Sequence, residues 1–377
     1  MKTTRFKAFL LYTSSIAFVF AWWSFAFQQP PSVIPNPSAV QTPVKYTRLL
    51  PEISRDDLYQ ALCGDFQLMV RLMTEWDYEI DWLEQQGYSH LNRLSKEKLK
   101  SAFLLKNQLA IQEKSSKRFF PQSYAAAGIL LSISPTERIV AIPSGLRKQT
   151  QLFPKSLTDR IPLSVDYFSS EQLYRLHPDL AFIAPYSNPL VVETLKTQQI
   201  PTVEVSYPST ILDIPQSIIE VGAYSENPIE AHLLALFYQA AIYAIDNRAQ
   251  LLQSCSSRKI LYLTYHSGFS IPTHMSLSGQ LVKRLHLNDG LLMGASSGWR
   301  VPIDRENIHR FNPDCIIISS AQNSLQIASW DPLIRETKAA GSHKIYNVDE
   351  SIQETPTHFL ALAYYDLFSA VERACLE

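Results

Sequence analysis

Glycine is scarce in this 377-residue chain, which contains only 11 glycines. No G-x-x-x-x-G-K-[ST] string is present, and no G-x-G-x-x-G string follows an apolar run. The sequence therefore lacks the glycine-rich loops that hold the phosphates of a bound nucleotide. Any ATP used in its function is expected to be hydrolysed by another protein.

The chain also lacks an excess of charge of either sign. Its 34 Lys and Arg residues oppose 35 Asp and Glu residues, which leaves a formal net charge of -1. Attraction to a nucleic-acid backbone requires a basic surface, so nucleic acid is not an expected partner. Hydrophobic residues make up 46% of the chain, which is typical of a folded protein, and the length suffices for two domains.

Cysteine is rare, and the four cysteines are Cys63, Cys255, Cys315 and Cys375. Their spacing matches no structural zinc motif. Cys315 lies in an apolar run and is interpreted as a small buried hydrophobic residue. Cys255 and Cys375 both end helical segments and could form a disulfide in an oxidising compartment, although the sequence does not give their distance.

The N-terminus predicts export from the cytoplasm. Three basic residues precede an apolar run over residues 8–27, and small residues at Ser24 and Ala26 suit a signal peptidase. The run is also long enough to cross a bilayer, so residues 1–27 are either a cleaved signal peptide or a membrane anchor. In both cases the body of the protein lies outside the cytoplasm. No cysteine follows the run to carry a lipid.

Two further segments precede the main fold. Residues 28–50 are rich in proline and small polar residues, which predicts an extended linker. Residues 51–115 predict a helical hairpin, because Ser54 and Asp57 resemble a capping box and apolar residues follow at helical spacing. The second helix of this hairpin is predicted over residues 95–113. Its function is not indicated by the sequence.

An internal repeat defines the main fold. Residues 171–183 align without a gap to residues 306–318, and each begins with a glutamate. In both copies a short amphipathic helix ends at a Pro-Asp turn, after which an apolar run predicts a buried parallel strand. The repeat predicts two similar lobes, over residues 116–226 and 255–377.

A long helix is predicted between the lobes. Asn227 as N-cap and Pro228 at the first helical position begin an apolar segment without internal Pro or Gly, over residues 227–254. Additional strands are predicted over residues 138–142, 202–205, 260–263 and 344–348. The predicted fold is α/β: two parallel-sheet lobes bridged by one long α-helix, with an N-terminal helical extension.

This arrangement resembles the periplasmic substrate-binding proteins that deliver ferric siderophores, haem or cobalamin to ABC importers. Residues 118–123, 128–131 and 138–143 fill the places of the family's first strand and loop, its Ile-Leu-rich helix and its R-I-V strand. Gly128 departs from the acidic residue that the family usually has there. The resemblance implies an exported, non-enzymatic binding protein that has no intrinsic cofactor, carries a metal chelate and meets a permease. Membrane contact would come from the N-terminal segment if it is uncleaved.

The resemblance implies that the glutamates of the internal repeat bind the permease. Family members dock onto their permease through one surface glutamate on each lobe, and Glu171 and Glu306 stand at the matching positions. The alternative is that each carboxylate only complements the dipole of its helix.

Ligand contacts are expected where parallel strands end, because ligands bind at the carboxyl edge of such sheets. The candidates are Ser123, Tyr124, Arg147, Tyr186 and Tyr207 from the first lobe, and Tyr265, His266, Trp299 and Arg300 from the second. The aromatic residues predict packing against a large flat chelate, and Arg147 and Arg300 predict that it is anionic. Alternatively, some of these tyrosines only cover the sheet with their hydroxyls in water.

Two other functions are considered. A receptor for a bare metal ion would need converging His and carboxylate ligands. No H-x-H or H-E-x-x-H motif occurs, and only His266 is predicted near the cleft, where it could also coordinate haem iron. The string at residues 294–298 fits the G-x-S-x-G motif of a membrane-anchored serine hydrolase, with Ser296 followed by Asp314 and His358. The short apolar run before it and Pro302 after it do not suit a nucleophile elbow.

Overall fold

The computed structural model describes residues 49–76, 117–165, 175–255, 257–288, 298–321, 326–327 and 331–376. The predicted export segment, the linker up to residue 48, the predicted helix over residues 95–113 and Glu171 lie outside these ranges. Residues Leu49–Glu377 form one compact unit. Within it, the described residues build a three-stranded, a two-stranded and a five-stranded sheet and the helices that cover them.

The order of elements follows the predicted alternation of strands and helices. The strands are β1 (Phe119–Pro121), β2 (Ala141–Pro143), β3 (Leu163–Val165), β4 (Leu180–Ile183), β5 (Thr202–Glu204), β6 (Ile260–Tyr265), β7 (Phe269–Pro272), β8 (Arg300–Pro302), β9 (Cys315–Ser320) and β10 (Ile345–Asp349). The helices are α1 (Arg55–Leu62), α2 (Phe66–Glu75), α3 (Tyr124–Ile133), α4 (Ser144–Lys148), α5 (Lys155–Thr158), α6 (Pro189–Thr197), α7 (Ile214–Tyr224), α8 (Pro228–Ala249), α9 (Leu277–Arg284), α10 (Arg305–Phe311), α11 (Pro332–Arg335), α12 (Lys338–Gly341), α13 (Glu350–Gln353) and α14 (Leu360–Leu376).

The first lobe contains parallel strands, as predicted. Strands β1, β4 and β5 form one sheet in the order β1-β4-β5, and β2 pairs with β3. A parallel bridge between Phe119 and Ile139 connects the two groups. The strand predicted over residues 138–142 begins later, because Thr136–Arg138 forms a 3₁₀ turn and regular pairing starts at Ala141. Buried residues such as Phe120, Ala181 and Leu195 form the core beside this sheet.

The second lobe has a mixed sheet in the order β10-β9-β6-β7-β8. Strands β6, β9 and β10 are parallel, as predicted, whereas β7 and β8 are antiparallel and were not predicted. A short turn at residues 266–268 folds β7 back onto β6, and this tight reversal permits only antiparallel pairing. Ile316, Ile317 and Ile318 of β9 are fully buried, because the strand lies inside the sheet and is covered on both faces.

The internal repeat has the same backbone geometry in both lobes. His177 and Asn312 occupy equivalent positions and both adopt the left-handed conformation, with φ of 42° and 49°. The carboxylate of Asp179 accepts a hydrogen bond from the Arg118 N–H at 2.7 Å. The carboxylate of Asp314 accepts one from the Lys259 N–H at 2.9 Å. The Pro-Asp turn therefore ties the start of one strand to the start of its neighbour in each lobe.

The long helix α8 lies between the lobes in sequence, as predicted. It begins at Pro228 after the N-cap Asn227 and spans 22 residues, a length of about 33 Å. A 3₁₀ segment, Gln250–Cys255, continues it, so the α-helix ends earlier than residue 254. The region Pro228–Leu252 is apolar and long enough to cross a bilayer, but 83% of its most apolar window is buried inside the protein. The helix is therefore part of the core.

The described part of the extension is a pair of short helices rather than one long one. Ser54 caps α1, as predicted, by accepting a hydrogen bond from the Asp57 N–H at 3.3 Å. The chain then breaks at Gly64, which has a φ of 104°. A Cβ there would lie 2.5 Å from the carbonyl oxygen of Ser132 in α3, so the close contact with the first lobe also requires glycine.

The extension is anchored to α8 and α14. The Leu50 N–H donates to the side-chain oxygen of Asn247 at 2.8 Å, and both residues are buried. Arg55 forms a bidentate pair with Asp366, with N–O distances of 2.6 and 2.9 Å. The ring of Trp76 stacks on Phe237 at 5.6 Å. The residues described from this segment therefore belong to the compact unit.

A buried histidine connects the extension to both lobes. His358, just before α14, is fully buried, and its Nε2 lies 3.0 Å from both Ser132 Oγ and the carbonyl oxygen of Leu62. Because a carbonyl can only accept, Nε2 carries the hydrogen and the ring is neutral. Burial lowers the pKa of His358 to about 3, although the hydrogen bond to Leu62 opposes the shift.

The cysteines agree with the prediction where they are described. Cys375 is disulfide-bonded, whereas Cys63 and Cys315 are free thiols. Cys315 is buried in β9, and burial raises the pKa of its thiol to about 12. A buried, protonated thiol of this kind is a packing residue.

Candidate functional site

A cleft with a volume of about 590 Å³ lies between the two lobes. Its walls come from the segments that follow β1, β2 and β4 in the first lobe and β9 and β10 in the second. The lining residues are Tyr124, Gly128, Leu146, Lys148, Gln149, Thr150, Gln151, Leu152, Phe153, Tyr186, Ala321, Asp349, Glu350, Ser351, Glu354, Thr355, Pro356, Thr357 and Phe359. The carboxyl edges of both sheets therefore face a shared cleft, as the strand topology predicts.

Tyr124 is one of two predicted tyrosines on the cleft wall. It begins α3 and is 39% exposed. Its position depends on Gly145 in α4, because a Cβ at residue 145 would lie only 1.5 Å from the Tyr124 hydroxyl oxygen. The small residue after β2 thus determines where this aromatic ring lies. Tyr186, the second, is 65% exposed and follows β4.

An aromatic pair joins the lobes near the cleft. Tyr207, which follows β5 in the first lobe, stacks on Trp299, which precedes β8 in the second lobe. Their ring centroids are 5.7 Å apart and the planes differ by 16°. Trp299 is 61% exposed, so most of its indole surface is available to a ligand. Both residues were predicted from their places next to strand ends.

A polar cluster occupies the second-lobe side of the cleft. Glu350 and Glu354 are four residues apart at α13, which places both carboxylates on one helical face. His266 follows β6, and its Nδ1 lies 2.8 Å from Glu350 Oε1, while its Nε2 lies 3.8 Å from Glu354 Oε1. Arg300 contacts both His266 Nε2 and Glu354 Oε1.

The contacts of this cluster determine the hydrogen positions on His266. Arg300 is a donor only, so His266 Nε2 accepts from it and Nδ1 carries the hydrogen that is donated to Glu350. The other oxygen of Glu350 accepts a hydrogen bond from the Ala321 N–H at 3.2 Å. Burial raises the pKa of Glu354, whereas the adjacent Arg300 guanidinium lowers it. In this arrangement the lone pair of His266 Nε2 is directed toward Arg300.

Three of the predicted site residues make contacts within their own lobes. Arg147 donates to the Ile161 carbonyl at 2.7 Å and lies 3.6 Å from Asp159, so it does not line the cleft. Ser123 is buried and caps α3 by accepting from the Ala126 N–H. Tyr265 packs on Phe269 at 5.0 Å beside the second-lobe core.

The two predicted arginines are both engaged by other groups of the protein. Arg147 is engaged inside the first lobe, and Arg300 is already paired with Glu354. Among the residues that line the cleft, Lys148 is accompanied by three carboxylates, those of Asp349, Glu350 and Glu354. Recognition of an anionic chelate by Arg147 and Arg300 stays a prediction, and each arginine would have to exchange partners.

Sequence reasoning missed Glu350 and Glu354. Both follow the strand predicted over residues 344–348, and their spacing of four residues was visible in the sequence. Ligands bind at the carboxyl ends of parallel strands, and this principle applies to Glu350 and Glu354 as well. Sequence reasoning also missed the stretch from Lys148 to Phe153, whose position on the wall depends on the path of the loop after α4.

Gly128, which departs from the family pattern, has little room for a side chain. It lies in the buried helix α3 and lines the cleft. A Cβ at this position would approach the Thr357 methyl group to 3.1 Å, so a side chain here requires Thr357 to move by a few tenths of an ångström.

The two described residues of the alternative hydrolase site, Asp314 and His358, have different partners. His358 bonds to Ser132 and Leu62 in the buried cluster, and Asp314 bonds to the backbone at the amino end of β6. Ser296 lies outside the described residues. His177 and His309, the histidines of the internal repeat, are exposed. Glu306 is exposed in the first turn of α10.

The chain is similar to a family of known proteins. A family model described as "Periplasmic binding protein" matches residues 130–352. No match was found among the curated proteins.

Several solved structures share the fold at low identity. The periplasmic heme-binding protein RhuT from Roseiflexus sp. RS-1 is 17% identical, with a TM-score of 0.58 over 69% of this chain and 100% of its own. HutB of Vibrio cholerae, a periplasmic heme-binding protein, is 16% identical, with a TM-score of 0.53 over 69% of this chain and 97% of its own. BtuF of Vibrio cholerae, a periplasmic vitamin B12 binding protein, is 16% identical, with a TM-score of 0.51 over 68% and 97%.

Proposed function

Because the chain belongs to the periplasmic binding protein family, we propose that it is the substrate-binding protein of an ABC importer. It captures an iron chelate, a siderophore or haem, or a similar metallo-organic ligand in the cleft between the lobes. It then presents this cargo to a permease outside the cytoplasm. The role requires no chemical step and no intrinsic cofactor.

The aromatic lining of the cleft is the observation that carries this proposal. Tyr124 and Tyr186 expose their rings on the first-lobe wall, and the Tyr207–Trp299 pair, which is outside the lining itself, joins the two lobes. Such rings pack on the flat organic surface of a chelate. The volume of about 590 Å³ is within the usual range for small-molecule sites. Arg300 can recognise an acidic group of the cargo by exchanging partners with Glu354.

The proposal is tested by titrating the purified full-length chain with haemin, a ferric hydroxamate siderophore and cyanocobalamin while the absorbance spectrum is recorded. We expect one of the three to bind with a spectral change. Tyr186→Ala is expected to weaken that binding by about tenfold, because an exposed ring on the cleft wall is lost. Tyr224→Ala, which removes an exposed tyrosine that does not line the cleft, is the matched control. Failure of all three compounds to bind would contradict the proposal.

Docking onto the permease is proposed to use Glu306. Its carboxylate is exposed at the start of α10 and forms no ion pair among the described residues. The aligned Glu171 of the first lobe is proposed to act in the same way. Exposed carboxylates at equivalent positions of two lobes can pair with permease arginines and fix the orientation of the complex.

Glu306→Lys is expected to lower the rate of cargo uptake in cells by at least about tenfold, because like charges would then meet at the interface. The affinity of the purified protein for its cargo should not change. Glu193→Lys on α6 is the control, since it reverses an exposed charge elsewhere on the surface. Normal uptake by Glu306→Lys, or a loss of cargo affinity, contradicts the docking role.

A further inference from the structure

The polar cluster of the second lobe has the composition of a metal site. His266, Glu350 and Glu354 each offer a ligand atom, and these atoms lie within 4.8 Å of one another. Imidazole together with carboxylate is the donor set that suits first-row transition metals such as zinc. Both glutamates also line the cleft, so an ion held here would be in contact with the cargo space.

The histidine is oriented as metal-binding histidines are. Its Nδ1–H donates to Glu350 Oε1 at 2.8 Å, and Glu350 is itself held by the Ala321 N–H at 3.2 Å. A carboxylate behind the ring fixes the tautomer and raises the basicity of the opposite nitrogen, as in carboxylate–histidine–zinc arrangements. Nε2, which accepts from Arg300, lies 3.8 Å from Glu354 Oε1. Ligands about 2.0–2.1 Å from a tetrahedral zinc ion are about 3.3–3.4 Å apart, so a small movement of either side chain suffices to bring both atoms to one ion.

A cationic side chain already contacts both His266 Nε2 and Glu354 Oε1. Arg300 directs one guanidinium nitrogen at His266 Nε2 and the other at Glu354 Oε1. The side chain of Arg300 is 30% exposed, so it can swing out into the cleft without leaving a buried charge unpaired. The guanidinium therefore marks the position at which an external cation would be stabilised.

We propose that the cleft binds a divalent transition-metal ion, such as Zn²⁺, through His266 Nε2 and the carboxylate of Glu354. Glu350 holds the histidine ring, and the ion replaces the guanidinium of Arg300. The released guanidinium then faces the cleft and can pair with an acidic group of a molecule that arrives with the metal. This inference rests on the proposed function for the use of the cleft as a cargo site.

The inference is tested by calorimetric titration of the untagged full-length chain, kept in detergent, with ZnCl₂, CoCl₂ and MgCl₂. We expect one Zn²⁺ or Co²⁺ per chain and no binding of Mg²⁺, which prefers oxygen ligands. His266→Ala should abolish binding of Zn²⁺. Glu350→Gln should weaken it by about ten- to a hundredfold, the usual effect of losing a group that orients a ligand.

Arg300→Met gives the most specific readout, because it removes the competing cation and should tighten Zn²⁺ binding by about tenfold. His309→Ala is the control, since His309 and Glu336 form an exposed pair 3.4 Å apart that has no third ligand among the described residues. Circular dichroism of each variant confirms that it is folded. Zn²⁺ binding that is absent, or that is unchanged in His266→Ala, overturns the inference.

The same preparations are titrated with the three chelates to separate this inference from the proposed function. Chelate binding without Zn²⁺ binding contradicts only the metal site. Absence of both kinds of binding contradicts the proposed function together with the metal site.

Discussion

Replacing His358 with alanine is expected to lower the free energy of unfolding by about 3 kcal/mol, since the substitution leaves a cavity and removes a buried hydrogen bond. The ring is fully buried, and its Nε2–H is directed at the Leu62 carbonyl beside Ser132. The loss is measured by urea unfolding at neutral pH. His309→Ala, on the surface, should change the free energy by less than about 0.5 kcal/mol.

Because of His358, we expect the free energy of unfolding to decrease in acid. Its pKa is lowered to about 3 by burial, whereas it is near 6.5 in an unfolded chain. Between these values the unfolded state binds one more proton than the folded state. Stability should therefore fall by about 1.4 kcal/mol for each pH unit as the pH decreases from 6.5 toward 3. The contribution is fully present above pH 6.5.

His358→Gln isolates this contribution, because the amide can still donate to Leu62 but does not titrate. Stability is measured from pH 7 to pH 4 for both proteins, and the difference between their curves is compared. We expect the wild type to lose stability more steeply than the glutamine variant. Parallel curves would show that protonation of His358 does not limit acid stability.

Replacing Arg55 with alanine is expected to cost about 2 kcal/mol, because it leaves the largely buried carboxylate of Asp366 without its partner. The Asp366 side chain is 13% exposed, and its pKa is raised by burial and lowered by Arg55. Without the guanidinium the pKa should rise further. The free energy of unfolding and the rate of limited proteolysis at the extension are the measurements, since Arg55 lies on α1.

Two variants test the cause of this loss. Asp366→Asn combined with Arg55→Ala should recover part of the stability, since no buried charge then remains unpaired. Arg71→Ala removes the exposed pair with Asp57, whose N–O distance is 2.9 Å, and should cost less than about 1 kcal/mol. Equal losses at Arg55 and Arg71 would mean that burial of Asp366 is unimportant.

Much of the fold could be predicted from the sequence because it depends on local patterns. The Pro-Asp turns at residues 178–179 and 313–314 stand directly before buried strands, and the two Asp carboxylates make equivalent hydrogen bonds. The apolar run of β9 predicts a strand that is covered on both faces. The uninterrupted segment after Asn227 predicts a helix. Each of these features is encoded within a few neighbouring residues.

The features that the sequence did not predict depend on contacts between distant residues. The order of strands places both Arg147 and Arg300 near the cleft. It does not determine which groups of the protein their guanidinium groups contact. Arg147 meets the Ile161 carbonyl, and Arg300 meets Glu354 from another strand connection. The antiparallel return of β7 was missed because the turn before it contains neither an Asn-Gly nor an Asp-Gly pair.

Because Tyr207 stacks on Trp299, the fluorescence of Trp299 should depend on the distance between the two lobes. The indole belongs to one lobe and the phenol to the other, so any widening of the gap separates the rings and changes the polarity around the fluorophore. Trp76, which stacks on Phe237 in the interior, keeps a constant environment during such a movement. The part of the emission that a Trp299→Phe substitution removes therefore reports lobe separation without an attached dye.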